Sequence, residues 1–197
     1  NAPSVLVGDF LYSRAFQVLV GIANLPIMGV MADATNVISE GEVQQMANAG
    51  NSNLTEDIYR QVIYRKTAKL FEASAQAGAC LANGDENSMV VSGRHLGMAF
   101  QIVDDVLDYS GDISVTGKNI GDDLAEGKMT LPLIYARDVG TNSESQLIKE
   151  AVSMKNSTNF DSILKIVNCT GGLDYSIECA RNEVELAKCA LDSIPDN

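Results

Sequence analysis

The chain has 197 residues, of which 46% are hydrophobic and 20% are charged, a balance typical of a folded globular protein and not of a disordered one. Its 14 basic and 26 acidic residues give a formal net charge of −12, which argues against binding to nucleic acid, because such binding depends on clustered Lys and Arg. Anionic substrates stay open, since a divalent cation can lie between carboxylates and a phosphate.

Helical periodicity dominates the first part of the chain. Apolar residues recur at three- and four-residue steps over 6–23 and again over 27–38, which predicts two helices. A polar loop at 48–53 follows. Thr55 is placed to cap a further helix, or two helices in series, that runs through 58–82.

The second part of the chain continues in the same way. After a break at 83–84, one helix carries an apolar stripe formed by Leu96, Phe100, Val103 and Leu107. The four glycines within 110–128 indicate a long loop, with at most one short helical turn. Thr130 and Pro132 mark the next helix start, and Ser143 with Gln146 resembles a capping box.

Helices over 160–167 and 173–191 complete the set. No period-2 strand pattern, repeat or low-complexity linker is present. The sequence therefore predicts an all-α fold of about eight helices, with residues 1–197 in a single domain. The most apolar stretch, 18–27, contains Asn24 and Pro26 and is too short to cross a bilayer, so we expect no transmembrane segment. The four cysteines are widely spaced without a C-x-x-C pair, which favours reduced thiols in the cytoplasm.

Four polar residues near the end of the stripe-bearing helix carry the clearest chemical signal. Gln101, Asp104, Asp105 and Asp108 recur at three- and four-residue steps and share one side of the helix. The three carboxylates repel one another and lie near the helix C-terminus, the end that disfavours acids. Mg²⁺ would compensate for both effects, because it binds one or two carboxylates together with phosphate oxygens. For the aspartates alone, a solvated acidic face explains the pattern equally well.

Basic residues nearby favour the metal interpretation. Lys118 and Lys128 lie in the glycine-rich segment after the aspartates, and Lys66 and Thr67 lie on an earlier helix. Lysines, a hydroxyl and the Gln101 amide are the groups that bind a metal-bound diphosphate. Each lysine taken singly is more often a surface residue.

Together these segments resemble a known family. The stretch FQIVDDVLDYSGD…GKNIGDDLAEGKMTLPL, preceded by GDFLYSRAF and YRKTAKLFEAS, is similar to the trans-type polyprenyl diphosphate synthases, and most of all to their bacterial long-chain members. The resemblance covers nearly the whole chain, with four motifs in the family's order. It implies the isoprenoid synthase fold, a helical bundle around a deep central cavity, here lacking N-terminal and C-terminal helices.

The resemblance also implies residue roles. Asp104, Asp105 and Asp108 match the second aspartate-rich motif, which holds Mg²⁺ against the allylic diphosphate. Among these matches, Lys66, Lys118 and Asp104 are the expected catalytic residues. The expected ligands of the allylic diphosphate are Lys66, Thr67, Gln101, Lys118 and Lys128.

The implied activity is the condensation of isopentenyl diphosphate with an allylic diphosphate by a cytoplasmic homodimer. An octaprenyl-like product would serve as a quinone side-chain precursor. The family's first aspartate-rich motif and its isopentenyl diphosphate site have no match in the chain, so we expect a fragment that is inactive alone. A non-catalytic partner subunit of a heteromeric synthase, a shorter-chain farnesyl or geranylgeranyl synthase and a terpene cyclase of related fold remain alternatives.

Overall fold

The computed structural model describes residues 2–110, 121–192 and 194. These residues form helices and connecting turns without a β-strand, which confirms the all-α prediction. Ten α-helices occur in this part of the chain, where about eight were predicted. In chain order they are α1 (Ala2–Ile22), α2 (Leu25–Asn48), α3 (Glu56–Ile63), α4 (Lys69–Ala82), α5 (Glu86–Ser110), α6 (Asp122–Ala125), α7 (Leu131–Val139), α8 (Asn142–Met154), α9 (Phe160–Thr170) and α10 (Gly172–Cys189).

The helix starts follow from capping residues, with one correction. Thr55 caps α3 as predicted, its Oγ1 accepting the Ile58 N–H. The capping box of α8, however, starts at Thr141 and not at Ser143. Glu144 accepts hydrogen bonds from both the backbone N–H and the hydroxyl of Thr141, at 2.8 and 2.7 Å. The Ser143 interpretation is wrong because a stronger box of the same spacing begins two residues earlier.

Helix α5 is the centre of the fold, packed between α4 and α10. Its buried face combines small residues such as Gly93 and Gly97 with larger ones such as Met98 and Ile102. The predicted apolar stripe, Leu96, Phe100, Val103 and Leu107, lies on a different face and is between 43% and 55% exposed. The small residues of the buried face let neighbouring helices approach closely, whereas the predicted stripe lines an open surface.

Helix α1 contacts little of the rest of the chain, and none of its residues is buried. By length and composition alone it could cross a membrane, because its best 18-residue window has a mean hydropathy of 1.4. A core helix of a soluble protein or a signal sequence passes the same test. Helix α1 contains no long uninterrupted apolar run, because isolated polar residues such as Asp9 and Arg14 break it without lowering its mean hydropathy far. The expectation of no transmembrane segment therefore stays a prediction.

One wide helical turn joins α3 to α4. Residues Tyr64–Ala68 form a π-helix, in which hydrogen bonds span five residues instead of four. The buried positions Tyr59, Ile63, Ala68 and Glu72 are accordingly spaced by four, five and four residues. Such turns are rare and frequent at functional sites. This one contains Lys66 and Thr67, two of the predicted ligands.

Candidate diphosphate and metal site

A cavity of about 150 Å³ opens where α2, α3, the π-helical turn Tyr64–Ala68 (the π-turn), α5 and the α6–α7 loop meet. This volume is roughly ten times what a single buried water needs. We call it the central cavity. Its polar lining residues are Gln45, Asn48, Tyr59, Lys66, Gln101, Asp104, Asp105, Asp123, Lys128 and Thr130. Five predicted site residues, Lys66, Gln101, Asp104, Asp105 and Lys128, thus meet in one place although they are up to 62 positions apart (128 − 66 = 62).

The π-turn sets the positions of Lys66 and Thr67. Lys66 Nζ donates a hydrogen bond to Oε1 of Gln45 on α2 and lies 3.4 Å from a carboxylate oxygen of Glu42. The Thr67 hydroxyl donates to Oε1 of Gln101 on α5 at 2.7 Å. Lys66 therefore lies at the cavity wall. Thr67 is connected to the cavity through its hydrogen bond to the lining residue Gln101.

The adjacent aspartates on α5 have different environments. Asp105 is 4% exposed, and both of its oxygens accept hydrogen bonds from inside the protein. Tyr59 O–H donates to Oδ2 at 2.7 Å, and Gln101 Nε2 donates to Oδ1 at 2.8 Å. Asp104 is only partly buried, with Oδ2 at 3.5 Å from Gln101 Nε2. Of the two, Asp104 has the carboxylate that is better placed for an incoming ligand.

Asp108 does not line the cavity. Its Oδ2 accepts the backbone N–H of Asp123 at 3.3 Å, and its carbonyl oxygen accepts the Gly121 N–H at 3.1 Å. The side chain is partly buried at the start of α6. Asp108 thus connects the end of α5 to the segment that carries Asp123.

The side chain of Lys128 is fixed by two carboxylates. Its Nζ lies 2.9 Å from Oδ1 of Asp123 and 2.7 Å from Oε2 of Glu126. Burial opposes the charge, but these two hydrogen bonds outweigh it and raise the pKa of Lys128. Lys128 therefore stays positively charged at the cavity wall.

The aspartates are electrostatically crowded. Burial raises the pKa of Asp105 to about 7, and the negative charge of Asp123 adds to the rise. Burial and the same Asp123 charge raise the pKa of Asp108 to about 6. Both shifts show that negative charge is disfavoured where these carboxylates meet, and a cation would relieve it.

The donor set suits Mg²⁺ that is shared with a phosphate ligand. Carboxylate oxygens are its preferred protein ligands, and it usually takes only one or two of them. Within the ranges that the structure describes, no three His, Cys, Asp or Glu side chains cluster closely enough to hold a metal by themselves.

Five polar residues of the cavity were not predicted as site residues: Gln45, Asn48, Tyr59, Asp123 and Thr130. The first three lie outside the motifs, and the last two lie within the stretch that resembles the family but received no role there. The only available signal was that Asp123 precedes the predicted ligand Lys128 by five residues. Lys118 lies outside the described residues, so its predicted role stays a prediction.

The sequence model of the polyprenyl synthetase family matches residues 1–170. The chain belongs to the polyprenyl synthetase family. Among curated polyprenyl synthetases, it is 47% identical to the octaprenyl diphosphate synthase of Haemophilus influenzae and 45% identical to that of Escherichia coli. Both alignments cover 100% of this chain, and 61% and 62% of those relatives.

A solved polyprenyl synthase from Caulobacter crescentus, complexed with calcium and isoprenyl diphosphate, has the same fold. Its TM-score is 0.95 at 38% identity, over 100% of this chain and 61% of that one. The expected isoprenoid synthase architecture is thereby confirmed for the described residues. The chain spans about three fifths of the length of these polyprenyl synthetases.

Proposed function

We propose that this chain provides the allylic diphosphate site of a Mg²⁺-dependent trans-prenyltransferase. The reaction condenses isopentenyl diphosphate with an allylic diphosphate to give a long-chain, octaprenyl-like polyprenyl diphosphate. Two curated relatives that are 45–47% identical bear the name octaprenyl diphosphate synthase, which supports this chain length.

The observation that carries the proposal is the convergence on one cavity of two lysines, an amide and an acidic pair. Lys66, Gln101, Asp104 and Lys128 come from the π-turn, α5 and the α6–α7 loop, and all line the central cavity. Lysines alone would suit any anion, and carboxylates alone would suit any hard cation. The combination suits a metal-bound diphosphate.

The residues of this chain would bind and orient the leaving group. The ammonium groups of Lys66 and Lys128, and of Lys118 by resemblance, counter the charge that grows on the diphosphate as the allylic C–O bond breaks. The Gln101 amide and the Thr67 hydroxyl add polar contacts. Asp104, with Asp105 and Asp108 as further predicted ligands, would hold Mg²⁺. When bound, this ion supplies Lewis acidity at the diphosphate oxygens.

The exposed apolar stripe on α5 has a place in the same proposal. Phe100 and Leu107 lie one helical turn on either side of Asp104, and Val103 is its neighbour. An apolar surface beside the diphosphate site would accept the prenyl chain and keep water away from the allylic cation. Loss of a proton after attack by the isopentenyl double bond would complete each elongation.

The proposal is tested with the protein encoded by the complete reading frame. Incubation with Mg²⁺, isopentenyl diphosphate and farnesyl diphosphate should give a long-chain product, whose length is measured by chromatography. Asp104→Ala should lower turnover by about 10² or more, because it removes a carboxylate from the metal site. Asp57→Ala, at an exposed position on α3, is the matched control and should retain wild-type turnover. Near-normal turnover of Asp104→Ala would mean that Asp104 belongs to a solvated face and not to a metal site.

Assembly and location remain proposals from the resemblance. A homodimer is consistent with the apolar surface of α1, in which Leu6, Phe10 and Val18 are more than half exposed. A cytoplasmic location is consistent with four free cysteines. The expectation that residues 1–197 are inactive alone is checked by assaying this polypeptide beside the complete reading frame. A D-D-x-x-D motif upstream in that frame distinguishes an enzyme from a non-catalytic partner.

A further inference from the structure

A buried tyrosine is joined to the central cavity by a chain of hydrogen bonds. Tyr59 on α3 is 4% exposed, and its hydroxyl donates to Oδ2 of Asp105, a residue 46 positions away on α5. The tyrosine hydroxyl is the donor in this pair, and it is directed at the carboxylate oxygen inside the protein.

The chain continues from Asp105 to the predicted ligands. Oδ1 of Asp105 accepts from Gln101 Nε2 at 2.8 Å, and Oε1 of Gln101 accepts from the Thr67 hydroxyl at 2.7 Å. Three helical segments, α3, the π-turn and α5, are thus joined by three consecutive bonds. We call this set, Tyr59, Asp105, Gln101 and Thr67, the buried relay.

The relay fixes the orientation of the Gln101 amide. In the structure, the amide presents its N–H to Asp105 and its oxygen to the Thr67 hydroxyl, so both ends of the amide are engaged. The second Nε2 hydrogen is then directed toward the side of Asp104, whose oxygen lies 3.5 Å away at the cavity. Reversing the amide would present an oxygen there, which repels a diphosphate.

Without the tyrosine hydroxyl, Asp105 would have one donor fewer in a nearly inaccessible position. A buried carboxylate that loses a charge-assisted hydrogen bond shifts toward its remaining donor, which here is Gln101 Nε2. A shifted Asp105 draws the Gln101 amide away from the cavity and weakens its bond to the Thr67 hydroxyl.

We propose that Tyr59 is a positioning residue for the diphosphate site, acting through Asp105 to orient Gln101 and Thr67. This inference rests on the proposed function and adds to it a residue that no motif of the chain contains. It also gives Asp105, besides its predicted part in the metal site, the task of an interior anchor for the relay.

The test is Tyr59→Phe in the protein encoded by the complete reading frame, because phenylalanine keeps the ring and removes only the hydroxyl. The affinity for inorganic pyrophosphate in the presence of Mg²⁺, measured by calorimetry, should fall about tenfold, which corresponds to 1.4 kcal/mol. The KM for farnesyl diphosphate should rise by a similar factor. The KM for isopentenyl diphosphate should stay within twofold, and kcat should change less than KM.

Two further variants separate positioning from simple stabilisation. Tyr175→Phe is the matched control, since the Tyr175 hydroxyl also donates to a carboxylate, Oε2 of Glu56 at 2.9 Å, away from the cavity. It should leave pyrophosphate affinity and both KM values unchanged. Asp105→Asn should weaken pyrophosphate binding at least as much as Tyr59→Phe. In a protein that already carries Asp105→Asn, Tyr59→Phe should lower the pyrophosphate affinity by less than it does in the wild type, because both substitutions act through the same carboxylate.

Unchanged pyrophosphate affinity in Tyr59→Phe, with only a lower Tm, would overturn the inference, and so would full additivity with Asp105→Asn. If the wild-type protein makes no prenyl product, the proposed function fails. Pyrophosphate binding by the variants still decides the role of Tyr59 in that case. Wild-type protein that binds no pyrophosphate with Mg²⁺ would overturn both.

Discussion

The close contact between α5 and the π-turn offers a sharp test of how the site is held together. A Cβ added at Gly97 on α5 would lie 2.5 Å from Cα of Ala68 and 2.9 Å from its Cβ. Ala68 is the last residue of the π-turn and follows Thr67 directly. Ordinary carbon–carbon contacts are about 3.5–4.0 Å, so Gly97→Ala must move the two segments apart by about 1 Å.

The magnitude follows from two opposing effects. Alanine in a helix is favoured over glycine by about 1 kcal/mol, whereas overpacking against backbone costs about 1–3 kcal/mol. Gly78→Ala on α4 is the matched control, because it gains the same propensity and meets nothing within 4 Å. The two variants should therefore differ by about 1–3 kcal/mol in the free energy of unfolding. This corresponds to roughly 2–12 °C in Tm for a protein of this size.

The same displacement should be felt at the site. The bond from Thr67 to Gln101, 2.7 Å long, would not survive a separation of that size. We expect Gly97→Ala to raise the KM for the allylic diphosphate or lower kcat by about 10-fold to 10²-fold. Urea unfolding and steady-state kinetics on both variants measure the two effects. Equal stability of the two variants, with unchanged kinetics for Gly97→Ala, would refute the packing argument.

Two further predictions concern stability. Thr141→Ala removes the capping box of α8 and should lower the free energy of unfolding, measured by urea titration, by about 1 kcal/mol. Ser143→Ala should stay within about 0.5 kcal/mol of wild type. A larger loss of stability in Ser143→Ala than in Thr141→Ala would mean that the capping box starts at Ser143. Glu72, buried beside Arg94 and Lys69, has a lowered pKa, because hydrogen bonds from these two residues outweigh the opposing effect of burial. A carboxyl whose pKa is lower in the folded state than in the unfolded state stabilises the fold at pH values above its ordinary pKa, near 4.5. This contribution to stability is lost as the pH falls through the folded-state pKa. Wild type should therefore lose more stability than Glu72→Gln between pH 6 and pH 3 in urea titrations, and parallel losses would contradict this.

The sequence was sufficient for what depends on local spacing. Helix periodicity predicted the all-α fold, and the steps between Gln101, Asp104 and Asp108 placed them on one helix side. Spacing could not reveal that Asp105 turns inward, because its burial depends on Tyr59, a partner far away in the chain. The same limit hid Gln45, whose bond to Lys66 crosses between two helices.

Patterns with two physical solutions were the other source of error. Steps of three and four residues fit more than one face of a helix, and α5 buries the face that contains Gly97 and Ile102 while Phe100 stays exposed. Two overlapping capping boxes fit the start of α8, and only the geometry of Glu144 selects between them. The amino-acid composition likewise does not reveal the π-turn, because its residues are of types that ordinary α-helices also contain.

The position of Lys128 depends on an attachment made of main-chain atoms. The Gly50 N–H donates to the Gly127 carbonyl at 2.8 Å, and both glycines have positive φ. Buried Arg137 holds the same loop by donating to the carbonyl oxygens of Ser52 and Leu54. These three hydrogen bonds use only main-chain atoms and the Arg137 guanidinium, so they do not depend on the side chains at 52 and 53. The length of the loop should therefore matter more to the site than the identity of those two residues: inserting or deleting one of them would displace a lysine some 75 positions further along the chain (128 − 53 = 75).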